Sequence, residues 1–173
     1  MFSIGPRRGL RRAVGAVTWY DRGCALEACD AGAAAEAYQR AVAGQPDLAD
    51  AHNNLGRLLH DRGDLASAES CYRLAICARH ADLGPAGEVA LYWFNLGVVV
   101  EDQGRAAEAI AAYERALELD DGFADAHFNL ARLLEVRGRA NGDDLVALRG
   151  AVRHLLSYRK LAPAAVSGRG RRT

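Results

Sequence analysis

Residues 92–116 read YWFNLGVVVEDQGRAAEAIAAYERA, and residues 51–75 read AHNNLGRLLHDRGDLASAESCYRLA. Laid over one another, the two stretches agree at six offsets: Leu55 with Leu96, Gly56 with Gly97, Gly63 with Gly104, Ala68 with Ala109, Tyr72 with Tyr113, and Ala75 with Ala116. A repeat of this length decides an architecture, because each copy is one small unit that cannot bury its apolar face alone and must stack on the next. Within each copy, apolar residues at helical spacing flank a short polar segment that contains glycine, RGDLAS or QGRAAE. The pattern predicts two helices of about 12–14 residues joined by a turn, with glycine closing the first helix at positive φ. The small pairs Gly56/Ala75 and Gly97/Ala116 let those helices approach closely, and Tyr72 and Tyr113 fill the space against the neighbouring hairpin.

A third copy begins AHFNLARLLEVRGRA at Ala126, with Leu130, Ala131 and Gly138 in register. A weaker copy begins TWYDRGCALEA at Thr18 and places Trp19 and Gly23. It continues to Ala34, Tyr38 and Ala41 with one residue missing from its turn. The pattern W-x2-L-G-x2-Y…A-x3-F/Y-x2-A…P, about 34 residues long, resembles the tetratricopeptide repeat family. The resemblance implies an all-α protein, an α-solenoid of about four helix-turn-helix units over 16–48, 49–82, 90–123 and 124–163. A basic arm (1–15) precedes the units and a basic tail (164–173) follows them. The closing proline is present as Pro46 and Pro163 and is replaced by His80 and Asp121 in the middle units. Residues 83–89, LGPAGEV, are extra between units two and three. Roughly eight further residues near 140–147 are read as a widened turn in unit four, relative to the family repeat length.

Charge is unevenly placed along the 173 residues. Seven of the 22 basic residues are Arg7, Arg8, Arg11, Arg12, Arg169, Arg171 and Arg172, in arms that hold no acid; the rest of the chain sets 15 bases against 22 acids. The arms are read as solvated ends, with contact to nucleic acid or an acidic surface as the alternative. Lys160 is the only lysine. With much Ala and Gly beside it, this points to a GC-rich, bacterial source. No run of 18 apolar residues marks a membrane span, and the arginine-rich start lacks the apolar stretch of a secretory signal. An organelle transit peptide is the weaker alternative to a cytoplasmic location. Cys24, Cys29, Cys71 and Cys77 lack zinc-site spacing and are read as free thiols or small hydrophobes.

No phosphate-binding loop, dinucleotide fingerprint, nucleophile elbow or zinc-protease motif occurs. The expectation is therefore a non-enzyme without cofactor or metal. The five histidines, His52, His60, His80, His127 and His154, show no ligand spacing, and His52 and His127 are read as packed. Acid pairs such as Asp143-Asp144 fall in turns, where Asp caps a following helix.

The candidate binding surface is the concave side, which the resemblance assigns to the first helix of each unit. Asn54, Asn95 and Asn129 precede the repeat leucines, and Asp21 stands at the same place in unit one. A row of amides offers donor and acceptor together and matches an extended peptide's backbone. It resembles the asparagine ladder of O-linked N-acetylglucosamine transferase repeat arrays. The other reading is a residue habitual at this position with a local hydrogen bond. Arg57 and Arg132 lie three residues on, on the same face, and are suited to a carboxylate. This is similar to the carboxylate clamp of chaperone-binding repeat domains, but Val98 and Cys24 interrupt the set. Solvation or pairing with Asp61 and Glu135 is the plainer reading. Phe94 and Phe128 are read as apolar anchors exposed in the groove.

The expected function is a protein-interaction scaffold that holds a peptide or partner segment in the concave groove. The alternatives are a regulator that touches nucleic acid through its arms and an accessory, substrate-presenting remnant of a glycosyltransferase. Oligomeric state is left open by the sequence.

Overall fold

The computed structural model of the chain describes residues 8–82 and 86–162, with side chains over 15–78 and 87–162. Expectations for Arg7, the tail arginines Arg169, Arg171 and Arg172, Pro163, and the side chains of Arg8, Arg11, Arg12 and His80 lie outside the described residues. Among those described, eight helices and no strand occur: α1 (Arg8–Leu26), α2 (Ala31–Gly44), α3 (Ala49–Asp61), α4 (Leu65–Asp82), α5 (Ala86–Asp102), α6 (Ala106–Leu119), α7 (Ala124–Ala140) and α8 (Leu145–Leu161). Each odd-numbered helix folds back on the even-numbered one after it, and α2, α4 and α6 pack against the next odd helix in turn. This is an α-solenoid of four hairpins. No helix among the described residues is long and apolar enough to cross a membrane.

The turns follow from their glycines. Gly63 and Gly104 sit at φ +80° and +78°. Each lets the next residue's N–H reach back to a carbonyl five residues earlier, Asp64 to Leu59 at 2.9 Å and Arg105 to Val100 at 3.0 Å. These bonds satisfy helix-end carbonyls that are otherwise orphaned. Unit one lacks the turn glycine, so α1 ends at Leu26 and Asp30 starts α2 by accepting the Ala33 N–H at 2.9 Å. Asp144 caps α8 in the same way, accepting from Val146 and Ala147.

The insertion in unit four differs from expectation. The turn between α7 and α8 stays short, running only from Asn141 to Asp144, and the extra residues lengthen both helices to 17 residues. One extra turn on each helix returns the apolar stripe to the same face, because about 3.6 residues complete a turn. Residues 86–89 of the LGPAGEV insert form the start of α5, which begins at Ala86.

Tyr38, Tyr72 and Tyr113 are fully buried, each lying over the glycine of its own hairpin. One apolar cluster joins Tyr38, Ala41, Leu55 and Leu58 across units one and two; a larger one runs from Tyr72 through Leu96, Tyr113 and Leu130 to Ala151. A Cβ built on Gly97 would stand 2.5 Å from Cε1 and 2.7 Å from Cδ1 of the buried Tyr113 ring. Helix propensity alone favours alanine by about 1 kcal/mol, but overpacking against a ring that cannot swing away costs about 1–3 kcal/mol. Gly97→Ala is therefore expected to lower the Tm. Gly15→Ala, whose Cβ meets nothing within 4 Å, should raise it. Equal gains in thermal melts of the two variants would refute the close approach.

Candidate functional site

The first helices α1, α3, α5 and α7 carry the residues singled out from the sequence, and two hairpin junctions repeat one arrangement. At the junction of units one and two, the Tyr38 hydroxyl donates to Glu27 Oε1 at 2.6 Å and accepts from Asn54 Nδ2 at 3.3 Å. Arg57 Nη2 closes the group on Glu27 Oε2 at 2.5 Å. At the junction of units three and four, Tyr113 donates to Glu101 Oε2 at 2.9 Å and accepts from Asn129 Nδ2 at 3.3 Å, while Arg132 pairs with Glu101. Glu27 and Glu101 each stand four residues after a repeat glycine, Gly23 or Gly97.

The middle junction departs from this arrangement, since His60 takes the glutamate place and Val98 the arginine place. His60 Nε2 meets Asp102 Oδ2 at 2.6 Å instead. Asn95 Nδ2 donates to Asn53 Oδ1 at 2.8 Å, and Asn53 Nδ2 donates to Asn54 Oδ1 at 3.3 Å. Amides thus link α3 to α5 where the charged pair is missing.

These bonds fix the state of the amide row. A tyrosine hydroxyl that donates its hydrogen bond to a carboxylate can only accept from the amide, so the Nδ2 side of Asn54 and Asn129 is committed inward. Asn54 Oδ1 is taken by Asn53. The amide oxygens of Asn95 and Asn129 have no partner among the described residues. Arg57 and Arg132 are held by glutamates of the preceding unit. Asp61 lies 3.8 Å from Arg57, and Glu135 is paired with Arg139 at 2.6 Å. Asp21 is exposed on α1. Phe94 is half-buried against Phe123 and Tyr113, with centroids 4.7 and 5.7 Å away, so it is part of the packing and not an exposed anchor. Phe128 is 43% exposed beside Tyr158, 5.2 Å between centroids.

Burial pushes the hydroxyls of Tyr38 and Tyr113 above the ordinary tyrosine range, and the facing Glu27 and Glu101 add to it. Tyr20, 5.8 Å from Tyr38, is pushed up to about 12 by burial and by the Cys24 thiol. His52 and His127 are buried, and each ring Nε2 binds a carbonyl six residues back, Pro46 at 2.9 Å and Asp121 at 3.0 Å. His127 Nδ1 also meets His154 Nδ1 at 2.8 Å, and burial, His127 and Arg153 depress the His154 pKa. Trp19 lies under the Arg40 guanidinium at 4.4 Å, and Trp93 packs on the large cluster. No group of three metal-ligating side chains occurs among the described residues.

Two models of the tetratricopeptide repeat match the chain, over residues 47–122 and 112–143, together more than half of it. The chain belongs to the tetratricopeptide repeat family. Among curated proteins, the peroxisomal targeting signal receptor of Eremothecium gossypii is 32% identical over 97 residues, 56% of this chain and 16% of that protein. The receptor of Saccharomyces cerevisiae is 34% identical over 77 residues, 44% of this chain and 11% of that one. The chain therefore spans only a small part of these relatives' length. Among solved structures, MamA gives a TM-score of 0.68 at 20% identity, over 87% of this chain and 85% of that one. Pseudomonas aeruginosa pilF gives 0.66 at 20% identity, over 90% and 61%. The first tetratricopeptide domain of Spaghetti (RPAP3), bound to the HSP90 peptide SRMEEVD, gives 0.65 at 18% identity, over 73% and 95%. At these identities the likeness concerns the fold alone.

Sequence reading missed Glu27 and Glu101, the partners of both arginines, and Asn53, which joins two members of the amide row. The signal was available for the glutamates. Aligning the copies on Gly23 and Gly97 puts both acids at one repeat position, 11 and 12 residues before the buried tyrosines.

Proposed function

We propose that this chain is a protein-interaction module whose first-helix groove holds an extended segment of another protein. The observation that carries the reading is the one-sided amide row. With their donors committed inward, Asn95 and Asn129 keep an oxygen able to accept a peptide N–H, and repetition spaces such acceptors along the array. Phe128 and Tyr158 add an apolar, partly open end to the row, suited to one anchoring side chain. That a relative in fold binds the HSP90 peptide SRMEEVD supports peptide holding in general. Acid-tail recognition is disfavoured here, because Arg57 and Arg132 are each neutralised by a glutamate and Val98 interrupts the set. Main-chain recognition with one apolar anchor is the better match.

Site-directed photocrosslinking tests the assignment. With a photoreactive phenylalanine analogue at Phe128, a specific adduct is expected from cell extract. The same analogue at Leu74, exposed on the second helix α4, should give none. Capture from Leu74 but not from Phe128 would overturn the groove assignment, as would equal capture from both.

A further inference from the structure

The last hairpin leaves uncovered what the earlier hairpins cover. Because α7 and α8 each carry one extra turn, Ala151 stands against α7 where Ala109 stands against α5, and both are buried. In that register Val152 matches Ile110 and Leu155 matches Tyr113. Ile110 and Tyr113 are 4% and 0% exposed, since α7 packs over them; Val152 and Leu155 are 56% and 41% exposed. Six of the eleven exposed large hydrophobic residues among the described residues lie on α8: Leu145, Val146, Val152, Leu155, Leu156 and Leu161.

The charge of this face selects its occupant. At about 100° per residue, Leu145, Val152 and Leu156 fall within a stripe roughly 40° wide. Arg149, Arg153 and Lys160 run along one side of the stripe, with Leu148, Leu155 and Arg159 along the other. Leu145, Val152 and Leu156 thus form an apolar seam edged by bases on one side and by Leu148, Leu155 and Arg159 on the other, a surface able to receive another helix. From Leu145 to Leu161 there are four bases, Arg149, Arg153, Arg159 and Lys160, and no acid. A second copy of α8 would set like charges against one another. Residues 163–173 bring three more arginines and no acid, so they do not complement the face either.

We infer that the outer face of α8 seats an acidic amphipathic helix from a partner protein, in the place a next repeat helix would take. The surface is separate from the groove proposed above and does not depend on it.

The full chain is tested by fluorescence anisotropy against a synthetic helical peptide of 17 residues, the span of α8, with Leu on its seam and Glu on its flanks. A peptide with Lys in place of every Glu and vesicles of phosphatidylglycerol with phosphatidylcholine are the comparisons. The acidic peptide is expected to bind at least about tenfold tighter than the basic one, to weaken with added salt, and to lose binding to a Val152→Glu/Leu156→Glu chain. Both side chains are exposed, so the variant should keep its helical circular dichroism. Equal binding of the two peptides, or binding that survives in the folded variant, overturns the inference. So does capture by anionic vesicles, or self-association in sedimentation that the variant abolishes, when the acidic peptide does not bind.

Discussion

Tyr113→Ala is expected to lower the unfolding free energy by about 3–5 kcal/mol, the range for deleting a large buried ring. The ring is fully buried, lies on the bare backbone of Gly97, and touches Phe94 on the same helix α5. Its removal leaves a hole bounded by helices α5, α6 and α7, which cannot all close in at once. The change also strips a partner from Asn129 Nδ2 and Glu101 Oε2. Tyr113→Phe separates the two contributions, since it keeps the ring and drops only the hydroxyl, a loss of about 1 kcal/mol. In a chain whose total stability is of the usual 5–15 kcal/mol, the alanine variant should be severely weakened and the phenylalanine variant only mildly so. Urea unfolding followed by circular dichroism measures both. An alanine variant that loses no more than the phenylalanine variant would show that the ring does not hold α6 to its neighbours.

The repeat was legible because the fold uses few residue types at fixed places. Gly97 and Ala116 are small where helices touch, Tyr113 is large where a gap remains, and Gly104 turns the chain where no side chain would be comfortable. Those demands are local, so they survive in the sequence. The insertion in unit four was less legible. Extra residues at 140–147 look like loop when copies are aligned on conserved offsets, since alignment places any surplus at the turn. The chain instead adds a turn to each of two antiparallel helices, which preserves both apolar stripes and keeps the short Asn141–Asp144 connection. Only the packing of one helix on the other reveals that this is possible.

The site divides in the same way. The asparagine row was visible because repetition alone places it. The direction of the amides was not, because it is set by the hydrogen bonds that the Tyr113 and Tyr38 hydroxyls donate to Glu101 and Glu27. Arg57 and Arg132 were matched in sequence with Asp61 and Glu135, acids one turn away or less on their own helices. Stacking brings Glu27 and Glu101 closer from the preceding unit, and a contact across 30 or 31 residues leaves no helical periodicity to read. Phe94 and Phe128 occupy the same repeat position, yet one is packed and the other open. Phe123 and Tyr113 lie against Phe94, whereas Phe128, beside Tyr158, stays 43% exposed.

Raising the pH past about 10 is expected to unfold the chain steeply, through the same tyrosines. Burial raises the hydroxyl pKa of Tyr38, Tyr72 and Tyr113, with Cys24 and Glu27 adding to the first and Glu101 to the last. In the unfolded chain each returns to about 10. Between that value and the folded one, the folded state holds protons that the unfolded state has released, so stability falls as pH rises. The contribution is fully present below about pH 10 and is lost at up to about 1.4 kcal/mol per pH unit for each tyrosine, or about 4 for the three together. Cys71, buried and likewise raised, begins the decline somewhat earlier, near the ordinary thiol value of about 8.5. The background is unusually clean, because Lys160 is the only lysine and arginine keeps its charge throughout. Melts followed by circular dichroism between about pH 8 and 12 should show Tm falling once tyrosine can ionise. Tyr20 is raised as well, so Tyr72→Phe should flatten the decline by about one quarter, one of four linked tyrosine protons being gone. A Tm unchanged through about pH 11 would mean that these hydroxyls are not sealed between the hairpins.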